Sequence, residues 1–186
     1  MAKISVKDLL EAGTIDCLPL VGRTPEREPY FDFTFPYMTL HGAVVVREDC
    51  DSIRSVSDLE GLTVGVMSED NAEEFLLRSD YGVTLVSTPT FEDALLLLSI
   101  DSVDAVVAQR LVALRLISEM ELSDLKVLDW PLFEFSQDFC FAVTEGNSEM
   151  LALLNEGLSI VMADGTYELL HAKWFAHYEL PSSRVL

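Results

Sequence analysis

Between residues 41 and 136, apolar runs of strand length alternate with runs of helical period. That alternation constrains the fold of this 186-residue chain more than any other feature. The pattern predicts strands over 43–47, 62–67, 83–87, 105–108 and 126–128. It predicts helices over 56–59, 71–78, 91–98 and 111–119, the first stopped by Gly61. The strands are apolar throughout rather than on one side only, so they need cover on both faces. A parallel sheet between two helical layers supplies that cover. Residues 41–136 are thus expected to form one complete unit.

The flanks cannot stand alone. Residues 1–40 offer a helix over 6–12 ending at Gly13, a strand over 15–20, and then a stretch over 22–37 too rich in proline and aromatics for one regular element. Residues 139–186 offer a strand over 139–143 and helices over 148–163 and 167–176, parted by Ala163-Asp164-Gly165. Neither segment can bury its own apolar face, so the two are expected to pack on each other. The domain reading is therefore two α/β lobes, lobe 1 from 1–40 plus 137–186 and lobe 2 from 41–136. The chain would cross near 38–42 and return near 136–139. Paired crossovers make a hinge, and a hinge makes a cleft.

Composition narrows the function. Twelve Lys and Arg against 32 Asp and Glu give a formal charge of −20. Such a surface repels phosphate backbones and anionic lipid, which argues against nucleic-acid and membrane-surface partners. With 49% hydrophobic residues the chain has ample material for a core, yet no stretch nears 20 uninterrupted apolar residues, and the first residues lack a signal-peptide pattern. Cys17, Cys50 and Cys140 lie far apart, with no CxxC spacing and no histidine at ligand distance. They read as inert, half-buried thiols, with one disulfide plus one free thiol as the alternative.

Several segments resemble a known family. Arg23-Thr24-Pro25-Glu26-Arg27, followed by Tyr30-Phe31-Asp32-Phe33-Thr34 and Pro36-Tyr37, is similar to the signature of family-3 extracellular solute-binding proteins, the two-lobed type II periplasmic binding domains. Ser57-Asp58-Leu59-Glu60-Gly61, Val64-Gly65-Val66, Asp104-Ala105-Val106-Val107, Ala163-Asp164-Gly165-Thr166-Tyr167 and Lys173-Trp174-Phe175 follow in the family's order. The resemblance implies a flytrap fold with lobe 2 complete and lobe 1 truncated, because the family begins some way before this chain does. The chain is then either a fragment or a lobe completed by something else. The resemblance also implies a periplasmic or other extracytoplasmic location.

The resemblance further assigns roles. Arg27 would grip a ligand carboxylate in a bidentate fork, or else pair with a nearby acid. Gly22 and Thr24 flank it, and Gly22 stands where the family often has a hydroxyl. From lobe 2, Met67, Ser68, Glu69, Asp70 and Asn71 would present a helix N-terminus, which suits anions. Here, however, Glu69 and Asp70 put two carboxylates where a ligand carboxylate would sit. Their other reading is stabilisation of the helix dipole, and Ser68 could serve simply as an N-cap. Gln109 occupies the position where the family holds an ammonium with aspartate. It is either a neutral ligand contact or a solvated helix-start residue. A standard α-amino-acid ligand therefore loses two of its usual contacts.

The remaining candidates are plainer. Asp32 is expected to cap or pair locally, Trp174 and Phe175 to dock the last helix as core residues, and His171 and His177 to serve surface or packing roles. His41 lies beside the crossover, where a pH-sensing role is the alternative to none. No GxSxG, HExxH, P-loop or dinucleotide glycine pattern occurs, so no catalytic residue, metal site or cofactor is expected. The reading is a non-catalytic small-solute sensor module, the extracytoplasmic input domain of a membrane-anchored kinase or cyclase. The spellings at 31–34, 109–114, 139–143 and 154–158 resemble the fused sensors. The alternatives are a free binding protein serving an amino-acid-type ABC permease, or an interaction module with a vestigial cleft that forms a homodimer.

Overall fold

Successive strand residues point to opposite faces, and in this chain both faces are apolar, so each needs its own cover. The computed structural model describes residues 6–130 and 132–175. In chain order the elements are α1 (Val6–Glu11), β1 (Leu18–Gly22), β2 (Phe31–Phe33), β3 (Met38–Arg47), a 3-10 turn (Val56–Leu59), β4 (Thr63–Met67), α2 (Asn71–Ser79), β5 (Thr84–Thr88), α3 (Phe91–Ser99), β6 (Ala105–Gln109), α4 (Arg110–Glu119), β7 (Leu125–Val127), β8 (Leu132–Thr144), α5 (Ser148–Ala163) and α6 (Thr166–Phe175). The chain divides into two units, residues 1–38 with 138–186 and residues 39–137. It passes from one to the other within β3 and returns within β8.

In the unit of residues 39–137, β3, β6, β4 and β5 lie side by side in that order, with β7 and β8 also paired to β3. β4 runs parallel to β5 and β6, with Val64 opposite both Leu85 and Ala105. β3 runs antiparallel to β6 and β7. The expected all-parallel sheet is thus corrected to a mixed one. A strand buried on both faces is apolar whichever way it runs, so composition carries no direction. Val44, Val46, Val64, Val66, Ala105 and Val107 face one side, where Ala72, Phe75 and Leu76 of α2 and Phe135 of β8 cover them. Val45, Val106 and Ala108 face the other, under Ala94, Leu95 and Leu98 of α3 and Ala113 and Leu116 of α4. Gly65 lets α3 approach: a β-carbon there would lie 3.1 Å from Val106 and 3.6 Å from Ala94.

In the other unit, β8 is the central strand. Ala142 is partnered by Leu18 of β1 on one side and Phe33 of β2 on the other, both antiparallel. Leu10, Val21, Phe31 and Ala142 form its buried cluster. The strand expected over 15–20 sits later, and the stretch over 22–37, too mixed for one regular element, contains the short β2. Asp32 pairs locally as expected, its Oδ2 accepting from the Gly146 N–H at 2.8 Å. Trp174 corrects its expected place in the core. It is 62% exposed, with Lys173 Nζ 5.0 Å from its ring centroid, and α6 buries no residue. The helix's apolar residues run all round rather than along one stripe, so no single face commits it to a core. The expected helix end at residue 176 and His177 lie outside the described residues.

Candidate functional site

Arg27 follows a tight turn after β1. Its N–H and that of Glu28 both donate to the Thr24 carbonyl, at 3.1 Å each. The turn draws the arginine back over the strand end, where its guanidinium Nη1 donates to the Gly22 carbonyl at 3.2 Å. Arg27 is only 8% exposed, and Thr24 and Gly22 are buried with it. Arg23, by contrast, pairs at the surface with Glu28 at 2.8 Å. A buried, backbone-anchored guanidinium keeps its fork geometry at low entropic cost, the property a carboxylate clamp requires.

In the unit of residues 39–137, the candidates gather at the carboxyl ends of β4 and β6. Open sheets with parallel strands place ligands at such ends. Beyond Met67, the Ser68 N–H donates to the Thr88 carbonyl at 2.8 Å and the chain turns through Glu69, whose φ is 61°. Asp70 is the residue that caps α2: its Oδ1 accepts from the Ala72 N–H at 2.9 Å. The capping role open to Ser68 thus belongs to Asp70. The Glu69 N–H donates to Glu73 Oε2 at 2.8 Å, and the Ser87 hydroxyl donates to Glu73 Oε1. Of the N–H groups at this helix start, those of Glu69 and Ala72 are taken by the chain's own carboxylates and that of Ser68 by a backbone carbonyl.

Two side chains there remain without partners. Asn71, the first residue of α2, is 3% exposed, and its Oδ1 accepts nothing. Gln109, at the N-cap of α4, is 4% exposed, and neither end of its amide is bonded. It stands at the start of that helix, but buried rather than solvated. Strand alternation puts Gln109 on the face of Ala105 and Val107, which α2 covers, and Asn71 belongs to the buried stripe of α2 with Ala72, Phe75 and Leu76. Each orphaned buried polar group costs about 1–3 kcal/mol until something bonds it. The sequence named both residues, but their burial without partners is a tertiary fact no local pattern carries.

All three cysteines are free. Burial pushes the Cys140 thiol up to about 11, and Asp138 adds to the rise. Burial also acts to raise Cys50, but the Ser52 hydroxyl, the backbone N–H groups of Ser52 and Ile53 and the Arg47 charge outweigh it and bring that thiol below its ordinary value. Among the described residues, no group of three His, Cys, Asp or Glu could hold a metal ion.

The family model for bacterial extracellular solute-binding proteins, family 3, matches residues 5–177. The L-cystine-binding protein TcyJ of Escherichia coli (strain K12) is 32% identical over 156 residues, 81% of this chain and 56% of the relative. The chain therefore spans just over half the length of that relative. Among solved structures, a histidine kinase sensor domain with similarity to periplasmic binding proteins superposes with a TM-score of 0.84 at 32% identity, over 90% of this chain and 73% of the other. An ancestral arginine-binding protein bound to arginine gives 0.80 at 32% identity, over 91% and 76%. The fold is that of the type II periplasmic binding proteins. The chain belongs to family 3 of the bacterial extracellular solute-binding proteins.

Proposed function

We propose that the chain is a small-solute-binding sensor module, the extracytoplasmic input domain of a signal-transduction protein, and that it acts by binding a small polar solute rather than by catalysis. The observation that carries this reading is the buried Asn71 oxygen and the buried Gln109 amide, none of whose open atoms has a partner. A fold does not leave such groups unbonded at the carboxyl ends of its strands without loss, and a bound solute removes that loss. In the other unit, Arg27, with Gly22 and Thr24 around it, is proposed as a carboxylate-binding residue in its own right. Met67, Ser68, Glu69 and Asp70 shape the loop that positions Asn71. The similarity to a histidine kinase sensor domain supports the sensor role.

A second reading, a free binding protein of an amino-acid ABC transporter, is favoured by the likeness to the cystine-binding protein. The two separate on what the gene encodes or adjoins: a transmembrane kinase or cyclase for the sensor, a permease for the transporter. A homodimer is the further partner proposed.

The test is a thermal-shift screen with L-arginine, L-cystine, L-glutamine, succinate and putrescine, followed by calorimetry on any hit. A solute at 100 times its dissociation constant stabilises the fold by about 2.7 kcal/mol. At least one carboxylate-bearing solute is expected to shift the wild type, and Arg27→Ala is expected to abolish that shift while unfolding stays cooperative. A flat screen on well-folded protein sinks the solute-binding reading. Undiminished affinity in Arg27→Ala removes Arg27 from the site.

A further inference from the structure

The Asn71–Gln109 end of the sheet also restricts the chemistry of what it binds, an inference that rests on the solute-binding reading above. An amide presents one donor end and one acceptor end, and in Gln109 both are open; Asn71 adds an open oxygen. The complementary group must donate and accept at once. An ammonium only donates, so it leaves the donor end of Gln109 facing a positive charge. A carboxylate only accepts, leaving both open oxygens unpaired. A primary carboxamide does both: it can satisfy both ends of the Gln109 amide edge to edge, and its second N–H is a donor of the kind the Asn71 oxygen lacks.

The surroundings agree. Across the β3–β6 ladder from Gln109 stands Gly42, over which the Phe135 ring lies, and that ring stacks on Phe75 at 4.9 Å. An apolar wall of this kind raises the penalty for a bare charge. The N-terminus of α2 offers an anion little compensation, since Asp70 holds the Ala72 N–H and Glu73 holds that of Glu69. A carboxylate brought here meets like charges. We infer that unit 39–137 recognises an uncharged carboxamide, or a group with the same paired donor and acceptor, through Gln109 and Asn71.

Three probes sharing one carboxylate and differing at the other end test this by calorimetry at fixed ionic strength: succinamate (carboxamide), 4-aminobutyrate (ammonium) and succinate (carboxylate). The wild type is expected to bind succinamate at least tenfold more tightly than either of the others. Gln109→Asp, which supplies the charge and removes the donor, is expected to reverse the order of succinamate and 4-aminobutyrate. Gln109→Glu is the second variant should the aspartate fail to fold. If the wild type binds 4-aminobutyrate or succinate as tightly as succinamate, the carboxamide assignment is overturned while the solute-binding reading stands. An unchanged preference in a folded Gln109 variant overturns the assignment as well. Binding of none of the three to cooperatively folded protein, together with a flat screen of the larger solutes, overturns both.

Discussion

The ring of Phe135 fills the space that a β-carbon on Gly42 would need, its Cγ lying 2.8 Å from that position. The two residues come from β8 and β3, and their fit lets the ring lie flat against Phe75 at an interplanar angle of 16°. Gly42→Ala is therefore expected to destabilise the fold by about 1–3 kcal/mol, the usual cost of forcing extra volume into a packed site. Urea unfolding measures it. Because Gly42 pairs with Gln109, solute affinity should fall as well. Wild-type stability in Gly42→Ala would show that the ring moves aside freely.

Glu69 holds a left-handed backbone, φ 61°, without being glycine. That conformation costs an L-residue about 1–2 kcal/mol, whereas glycine adopts it freely but raises unfolded-chain entropy by about 0.5–1 kcal/mol. Glu69→Gly is expected to stabilise the protein by about 0.5 kcal/mol. Glu69→Ala, which keeps the strain, should give no gain. Equal midpoints for the glycine and alanine variants would remove the backbone explanation.

Asp70 holds the first turn of α2 through the Ala72 N–H. Asp70→Ala should cost about 1 kcal/mol, while Asp70→Asn, which still accepts that bond, should cost far less. Thermal unfolding of the pair distinguishes a capping effect from a charge effect. Equal losses in both would mean that the charge is what matters.

The thiols should differ in reactivity. Cys50 is partly exposed and its thiol is lowered, whereas Cys140 is buried and raised to about 11. Because the thiolate is the nucleophile, iodoacetamide near pH 8 is expected to label Cys50 well before Cys140. Peptide mass mapping over time reads the order. Early labelling of Cys140 in folded protein would contradict its burial.

Burial raises the Tyr37 phenol to about 12, with the charge of Cys140 adding to the effect, and its hydroxyl donates to the Pro19 carbonyl at 2.7 Å. An unfolded tyrosine titrates near 10. A raised folded value stabilises the protein below pH 10, and that contribution fades as pH climbs from about 10 to about 12. Tyr37→Phe should be less stable at neutral pH and lose less of its stability across that alkaline range. Parallel alkaline limbs for the two proteins would assign the loss to other groups.

Local pattern determined much of this protein. Residues 71, 91 and 148 begin helices as expected, because caps, apolar spacing and the glycines at 61 and 165 act over a few residues. Arg27, Asn71 and Gln109 could likewise be named from spelling alone. Strand direction, the thirteen-residue reach of β8 and the exposure of Trp174 could not, since each depends on partners distant in sequence. The same holds for the site's chemistry. The sequence placed Glu69, Asp70 and Asn71 together at a helix start, where the Asp70 and Glu73 carboxylates take the N–H groups of Ala72 and Glu69, but only the tertiary structure buried the Asn71 oxygen and both ends of the Gln109 amide without a partner. Hydrogen-bond satisfaction is a property of the folded surroundings. A short motif can supply the donor and acceptor types, but packing decides which of them find a partner.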